Sequence, residues 1–223
     1  MLVREWMTRN VITLGANSSV LDAAAILREK NIRQFPVVDD DGLLVGIVSD
    51  RDIRDAMPSK YIAGDAASNG GLSTLSAGDI MTLDPITVNK DMAMDIVAET
   101  LVSNKIGGLP VVEGKKLIGI ITQADVMRFM SSATGAIRGG IQFAFRLEAK
   151  PGPLASLLND LRDKSVVFTS VFTSYELENP GYRHAYIRVS GVGDRSVEEL
   201  VNYLQANYTL LYYVNEGVTV DIV

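Results

Sequence analysis

The sequence predicts a mixed α/β (α+β) fold in which two copies of one supersecondary unit pack as a pseudo-two-fold pair and a separate βαββαβ domain follows. Three observations predict it. The first is a repeat: at an offset of 74 positions Met7/Met81, Thr8/Thr82, Ile12/Ile86, Thr13/Thr87, Ala24/Ala98, Leu27/Leu101, Ile32/Ile106, Pro36/Pro110, Val37/Val111 and Val38/Val112 are identical. One deletion then moves the offset to 73, where Leu44/Leu117, Gly46/Gly119, Ile47/Ile120 and Asp52/Asp125 match and Ser49 stands opposite Thr122. The second is size: each copy is too short for a core of its own, so the two must share one and leave two related clefts between them. The third is a break at residues 131–140, where Ser131-Ser132, Gly135 and Gly139-Gly140 interrupt the apolar pattern and a different element order begins. The expected boundaries are 1–57 for the first repeat, 58–78 for a connector, 79–133 for the second repeat, 134–140 for a linker and 141–223 for the last domain.

Each repeat reads as strand, helix, strand, strand, helix. Val11 to Leu14 is a short β-rich run, and Ser18 or Ser19 caps a helix that starts near Val20 and ends at Asn31. Phe35-Pro36-Val37-Val38 begins a strand, with Pro36 expected at its start, where no ladder donor is needed. Asp39 to Gly42 turns the chain and Leu43 to Val48 returns as the hairpin partner. In the second copy Leu109 to Val112 turns at Glu113-Gly114 and Leu117 to Ile121 comes back. The connector, rich in Ala, Ser, Gly and Asn, reads as flexible. After the break at 131–140, Ile141–Leu147, Val166–Tyr175, Ala185–Val189 and Leu210–Val214 read as strands, with Leu154–Leu161 and Val197–Leu204 as helices. That order is the ferredoxin-like split unit.

Composition narrows the partners. With 47% apolar and 22% charged residues the chain is long enough for two compact globular domains. No apolar run approaches the roughly 18 to 20 residues that span a bilayer, and charges stand in the opening Met-Leu-Val-Arg-Glu-Trp where a signal peptide is apolar, so a cytoplasmic address and no membrane partner are expected. A formal charge of −6, with basic residues interspersed among acids, argues against nucleic acid. The absence of cysteine removes disulfides, thiolate nucleophiles and cysteine-held metals.

The strongest local pattern is Gly46-Ile47-Val48-Ser49-Asp50-Arg51-Asp52 and its copy Gly119-Ile120-Ile121-Thr122-Gln123-Ala124-Asp125, each at a strand-to-helix junction. A hydroxyl and a carboxylate three residues apart lie on one side of the first helical turn. There the carboxylate can accept from a vicinal diol, and the hydroxyl and helix-start amides can donate to a phosphate. The same spacing is close to the capping box that starts a helix, and both readings stand open.

These residues, with Met7-Thr8, Ile12-Thr13 and Phe35-Pro36-Val37-Val38 and their copies, resemble the cystathionine β-synthase (CBS) domain over roughly residues 3 to 130. Tandem pairs of that domain form regulatory Bateman modules. The resemblance implies binding of AMP, ADP, ATP or S-adenosylmethionine in the clefts, without catalysis or a required cofactor. It places Asp52 and Asp125 on the ribose hydroxyls and Ser49 and Thr122 on ribose or phosphate. Ile12-Thr13 and Ile86-Thr87 would meet the adenine edge, and the surroundings of Pro36 and Pro110 would wall the ring. Arg33-Gln34 stands opposite Gly107-Gly108, so the two clefts differ in charge: Arg33 either favours phosphorylated ligands at one of them or is a solvated surface charge.

In the C-terminal domain Pro151-Gly152-Pro153-Leu154 joins the first strand to the first helix, with Pro153 suited to the first helical turn. Together with the βαββαβ order, this resembles the ACT domain over roughly residues 141 to 217. That implies homodimerisation, or an amino-acid site at Pro151, Gly152 and Leu154, against a purely structural turn. The whole arrangement is similar to the acetoin utilisation accessory protein B family. The leading expectation is therefore a noncatalytic sensor of an adenine nucleotide acting on an unidentified regulated protein. The alternatives are a constitutive dimer scaffold without ligand and a nucleotide-processing enzyme. Asp39 to Gly42 reads as a hairpin turn rather than a calcium loop, and His184, the one histidine, as solvent-facing or sheet-packed. Trp6 reads as an apolar anchor, and Tyr203, Tyr208, Tyr212 and Tyr213 as packing or interface aromatics.

Overall fold

Two hairpins related by the repeat organise the first part of the chain. In a computed structural model, which describes residues 1–56 and 75–222, the first repeat contains α1 (Val3–Trp6), β1 (Leu14–Gly15), α2 (Val20–Lys30), β2 (Gln34–Val38), β3 (Leu44–Ser49) and α3 (Asp50–Ala56). The second contains α4 (Ala77–Ile80), β4 (Thr82–Leu83), α5 (Met94–Ser103), β5 (Gly108–Glu113), β6 (Lys116–Thr122) and α6 (Gln123–Ala133). Of the connector expected over 58–78, residues 58–74 lie outside the described residues. The chain divides into two units, 1–127 and 128–223.

Local chemistry sets the element ends. Ser19 caps α2, its Oγ accepting from the Asp22 amide at 3.4 Å, and Asn31 closes the helix in the left-handed conformation at φ 51°. Asp39 shapes the first hairpin turn by accepting from the amides of Asp41 and Leu43 at 3.1 and 2.8 Å. The single-residue deletion falls in this turn. Both hairpins carry the same β-bulge: Val38 pairs with Leu44, leaving Val45 extra, and Val112 pairs with Leu117, leaving Ile118 extra.

Three expectations need correction. The strand expected over Val11 to Leu14 pairs only at Leu14 and Gly15, in parallel with Val37 and Val38. Its counterpart in the second repeat is reduced to one parallel bridge, Val88 to Val111. Pro36 is not at the start of its strand but in the middle, opposite Ile47. It is tolerated there because the β1 pairing begins only at Val37.

The leading segments cross over. Thr8 pairs with Ile120 of β6, while Leu83 and Thr82 pair with Gly46 and Ile47 of β3. The helices ahead of them cross too: Val3 and Arg4 amides donate to Met92 and Lys90 carbonyls, and Ala77 and Gly78 amides donate to Ser18 and Ala16 carbonyls. The crossing segments and the partners of the helices are related by the repeat offset of 74, and the strand partners Ile47 and Ile120 by that of 73. Met7 thus lies on Gly119 and Met81 on Gly46, where an added Cβ would stand 2.8 and 2.6 Å from the respective sulfur.

In the second unit α6 is followed by a 3₁₀ turn (Ala136–Arg138), β7 (Ile141–Glu148), α7 (Pro153–Asp163), β8 (Val167–Tyr175), β9 (Tyr182–Gly191), α8 (Val197–Asn207), β10 (Leu210–Asn215) and β11 (Val218–Asp221). The strand order is β11-β10-β7-β9-β8, with all neighbours antiparallel. Its first four strands in sequence have the expected ferredoxin-like arrangement, to which β11 adds a fifth. Phe143, Phe145, Ile187 and Leu210 from the sheet form one buried core with Leu157, Leu161, Leu200 and Leu204 from α7 and α8. Among the described residues no helix is long and apolar enough to cross a membrane.

Candidate functional site

The two strand-to-helix junctions have nearly identical geometry. Ser49 ends β3, and both its amide and its hydroxyl donate to Oδ2 of Asp52 at 2.7 Å, while the Asp52 amide donates back to Ser49 Oγ at 3.3 Å. At the end of β6 the Thr122 amide and hydroxyl donate to Asp125 Oδ2 at 2.8 and 2.6 Å, and the Asp125 amide returns to Oγ1 at 3.4 Å. Both are reciprocal capping boxes with aspartate in place of the longer glutamate. Asp52 is half-buried and Asp125 only 1% exposed. The first helical amides are also taken: Asp50 donates to the Arg33 carbonyl at 2.8 Å and Gln123 to the Gly107 carbonyl at 3.1 Å. The supply of helix-start donors for an anion is accordingly smaller than the sequence suggested.

Between the repeats lies a hollow of about 210 Å³, walled on one side by Arg9, Val11, Thr13 and Val38 and on the other by Leu117, Ile118 and Gly119. It joins Thr13 to the strand that leads to Thr122 and Asp125, so residues marked in one repeat face the junction strand of the other. The bulge contributes directly, because Ile118 is the extra residue of β6. Ile12, Ile86 and Thr87 are exposed, whereas Pro36 and Pro110 are buried within their strands.

Arg9 was not singled out from the sequence. The available signal was its counterpart at offset 74, Leu83, which makes position 9 a charge difference between the copies. Its Nη2 donates to the Arg4 carbonyl at 3.0 Å. Arg33 is exposed one residue ahead of β2. Its neighbour Gln34 meets Gly108, its own counterpart across the repeat: a Cβ on Gly108 would stand 1.9 Å from Gln34 Nε2. That amide nitrogen is buried and has no hydrogen-bond partner among the described residues.

In the second unit Gly152 caps α7 at φ 111°, with Pro153 in the first turn. A Cβ there would meet nothing within 4 Å, so glycine serves the backbone conformation rather than space. Pro151 is exposed, and Leu154 packs against the core. His184 lies 3.5 Å from the Tyr186 hydroxyl through Nδ1, in the sheet. Among the described residues no group of three or more His, Cys, Asp or Glu side chains is placed to hold a metal ion.

The repeat pair has known relatives. The CBS domain family matches residues 3–59 and 77–132, and the chain belongs to that family. It is 36% identical over 135 residues to the uncharacterized protein MJ1404 of Methanocaldococcus jannaschii, covering 58% of this chain and 32% of that protein's length. Among solved structures, the CBS domain pair of protein MJ0100 in complex with 5′-methylthioadenosine and S-adenosyl-L-methionine is 32% identical. That match covers 59% of this chain and 96% of that one, with a TM-score of 0.50. CBSX2 from Arabidopsis thaliana is 31% identical, covering 62% and 98% of the two chains, with a TM-score of 0.53.

Proposed function

We propose that the repeat pair is a noncatalytic sensor that binds an adenosyl ligand, such as AMP, ADP, ATP or S-adenosylmethionine, at the seam between its two CBS repeats. The observation that carries this reading is the hollow joining Thr13 of one repeat to Leu117–Gly119 of the other. Its volume of about 210 Å³ is below the roughly 300–1,000 Å³ of ordinary ligand pockets, so it takes the base or sugar while the rest of the ligand runs along the open seam. In this reading Asp52 and Asp125 receive the ribose hydroxyls, Ser49 and Thr122 assist them, and Ile12, Thr13, Ile86 and Thr87 meet the base beside Pro36 and Pro110. Arg9 and Arg33 favour a phosphate. The adenosyl complex of the similar MJ0100 pair supports the ligand class.

The domain boundaries follow as two repeats at 1–57 and 79–133 with a connector at 58–78, then a linker at 134–140 and an ACT-like domain at 141–223. The strand order of the last supports that assignment. It relays ligand binding to a regulated partner or dimerises the protein. Dimerisation without any ligand, as a constitutive scaffold, is the second reading. It is favoured by β8, an edge strand whose Val167, Phe168, Val171, Phe172 and Tyr175 are exposed.

The test is a titration of AMP, ADP, ATP and S-adenosylmethionine against wild type and the Asp52→Asn and Asp125→Asn variants, below their melting temperatures. The expected result is saturable binding that one or both variants weaken by about tenfold, the loss of a charge-assisted hydrogen bond. Melting temperatures of the same variants measured without ligand report the loss of the cap, so that capping and affinity are read separately. Absence of binding to all four ligands leaves the scaffold reading.

A further inference from the structure

The open face of the second unit's sheet carries a second hollow. Helices α7 and α8 cover the face that bears Phe143, Phe145 and Ile187. Alternation along the strands sends Gln142, Arg188 and Ser170, which are aligned across β7, β9 and β8, to the opposite face. Tyr186 and Phe172 form the next row, their rings stacked at 5.9 Å and 29°. With Thr134 these five side chains line a cavity of about 210 Å³, room for a metabolite much smaller than a nucleotide.

Arg188 is the unusual member. It is half-buried, and its hydrogen bonds run to neutral oxygens: Nε to the Thr134 carbonyl at 3.0 Å, Nη2 to Gln142 Oε1 at 2.6 Å and Nη1 to the Gly140 carbonyl at 3.5 Å. In the same unit Arg146 and Arg162 each pair with a carboxylate, Glu176 and Asp163, at 3.0 and 2.9 Å. No carboxylate among the described residues pairs with Arg188. A guanidinium has five N–H donors and keeps its charge, so two donors and one positive charge remain for a ligand beside an aromatic wall.

We propose that this hollow binds a small organic carboxylate with a short apolar or planar tail. The carboxylate bonds to the Arg188 guanidinium and the tail lies on Phe172 and Tyr186. The proposal is independent of the nucleotide reading, which concerns the other unit. Occupancy also bears on the chain leaving α6. The Thr134 carbonyl accepts from both Arg188 Nε and Ser170 Oγ, the latter at 2.8 Å, and Gly135 follows at φ 70° with a notional Cβ 3.1 Å from Arg188 Cδ. A carboxylate bound to the two remaining donors shares the guanidinium with the carbonyls of Thr134 and Gly140, linking ligand binding to the hold on residues 134–140.

The test is an amide and Arg Nε–H NMR titration of the full chain with benzoate and propionate, using benzyl alcohol at matched ionic strength as the uncharged control. Saturable shifts at Gly135, Gln142, Ser170, Phe172 and the Arg188 Nε–H are expected, with a dissociation constant of about 1 mM or tighter. Arg188→Gln should weaken both acids by about tenfold or more. Because that variant also loosens residues 134–140, Phe172→Ala provides a second check: it leaves the guanidinium bonds intact and should weaken benzoate more than propionate. A linear response without saturation, an equal response to benzyl alcohol, shifts confined to other residues, or unchanged affinity in both variants would overturn the proposal.

Discussion

Asp160 ties the two helices of the second unit together through its carboxylate. Oδ2 accepts from the Tyr203 hydroxyl of α8 at 2.7 Å and from the Tyr208 hydroxyl at 3.0 Å, while Oδ1 pairs with Lys164 at 3.1 Å. Burial pushes its pKa up, but the bonds from Tyr203, Lys164 and Tyr208 outweigh that and leave it below the ordinary value. Burial and the same carboxylate push the Tyr208 hydroxyl up to about 12. A lowered carboxyl pKa contributes stability that is present above the unfolded value of about 3.9 and is lost as pH falls through the folded one. The raised tyrosine pKa contributes below about 10 and fades as pH rises toward about 12. Asp160→Asn should therefore flatten the acid limb of the urea-unfolding free energy below about pH 4, and an unchanged slope would contradict this account. At this scale the sequence was partly legible. Ser49-x-x-Asp52 and Thr122-x-x-Asp125 announced both a cap and a ligand contact, and the capping geometry is present in full. The meeting of Gln34 with Gly108 and the place of Arg9 were not legible, because each depends on a partner from the other repeat.

Elements built from local rules were the easiest to anticipate: the serine cap and asparagine end of α2, the aspartate-glycine turn, and the order of strands and helices in the second unit. What escaped was non-local. The crossing of Thr8 and Thr82–Leu83 to the other repeat leaves no periodic signature, since it is set by pairing across 35 to more than 100 positions of chain, and the bulges at Val45 and Ile118 shift the hairpin register without altering the run of apolar residues. The strand β11 follows a Glu216-Gly217 turn with both residues at positive φ, a hairpin signal that was present but unread. The glycines under the crossing segments offer a direct check. On Gly119 a Cβ would stand 3.0 Å from the Thr8 carbonyl oxygen, and on Gly46 3.1 Å from that of Thr82, both backbone atoms with little room to move. Gly46→Ala and Gly119→Ala are each expected to lower the stability of the repeat pair by about 1–3 kcal/mol in urea unfolding. A neutral effect for both would mean that the crossing is looser than these distances require.

For the whole molecule, the repeat pair and the ferredoxin-like sheet are separate compact units, and the proposed ligands fall on different ones. An adenosyl ligand at about 100 times its dissociation constant would add roughly 2.7 kcal/mol to the unit that holds it. Hydrogen exchange should then slow most at residues 9–13 and 117–122, on the two walls of the seam and the junction beyond; protection spread evenly over the repeats would place the ligand elsewhere. The crossing of the leading segments has a consequence of its own. One copy in isolation would lack the surface on which its leading segment docks, and could complete itself only by trading that segment with another molecule. Tethering two copies in one chain turns a bimolecular trade into an intramolecular one, and relieves the halves of any need to stay alike, so that arginine can stand at position 9 and leucine at its twin, 83.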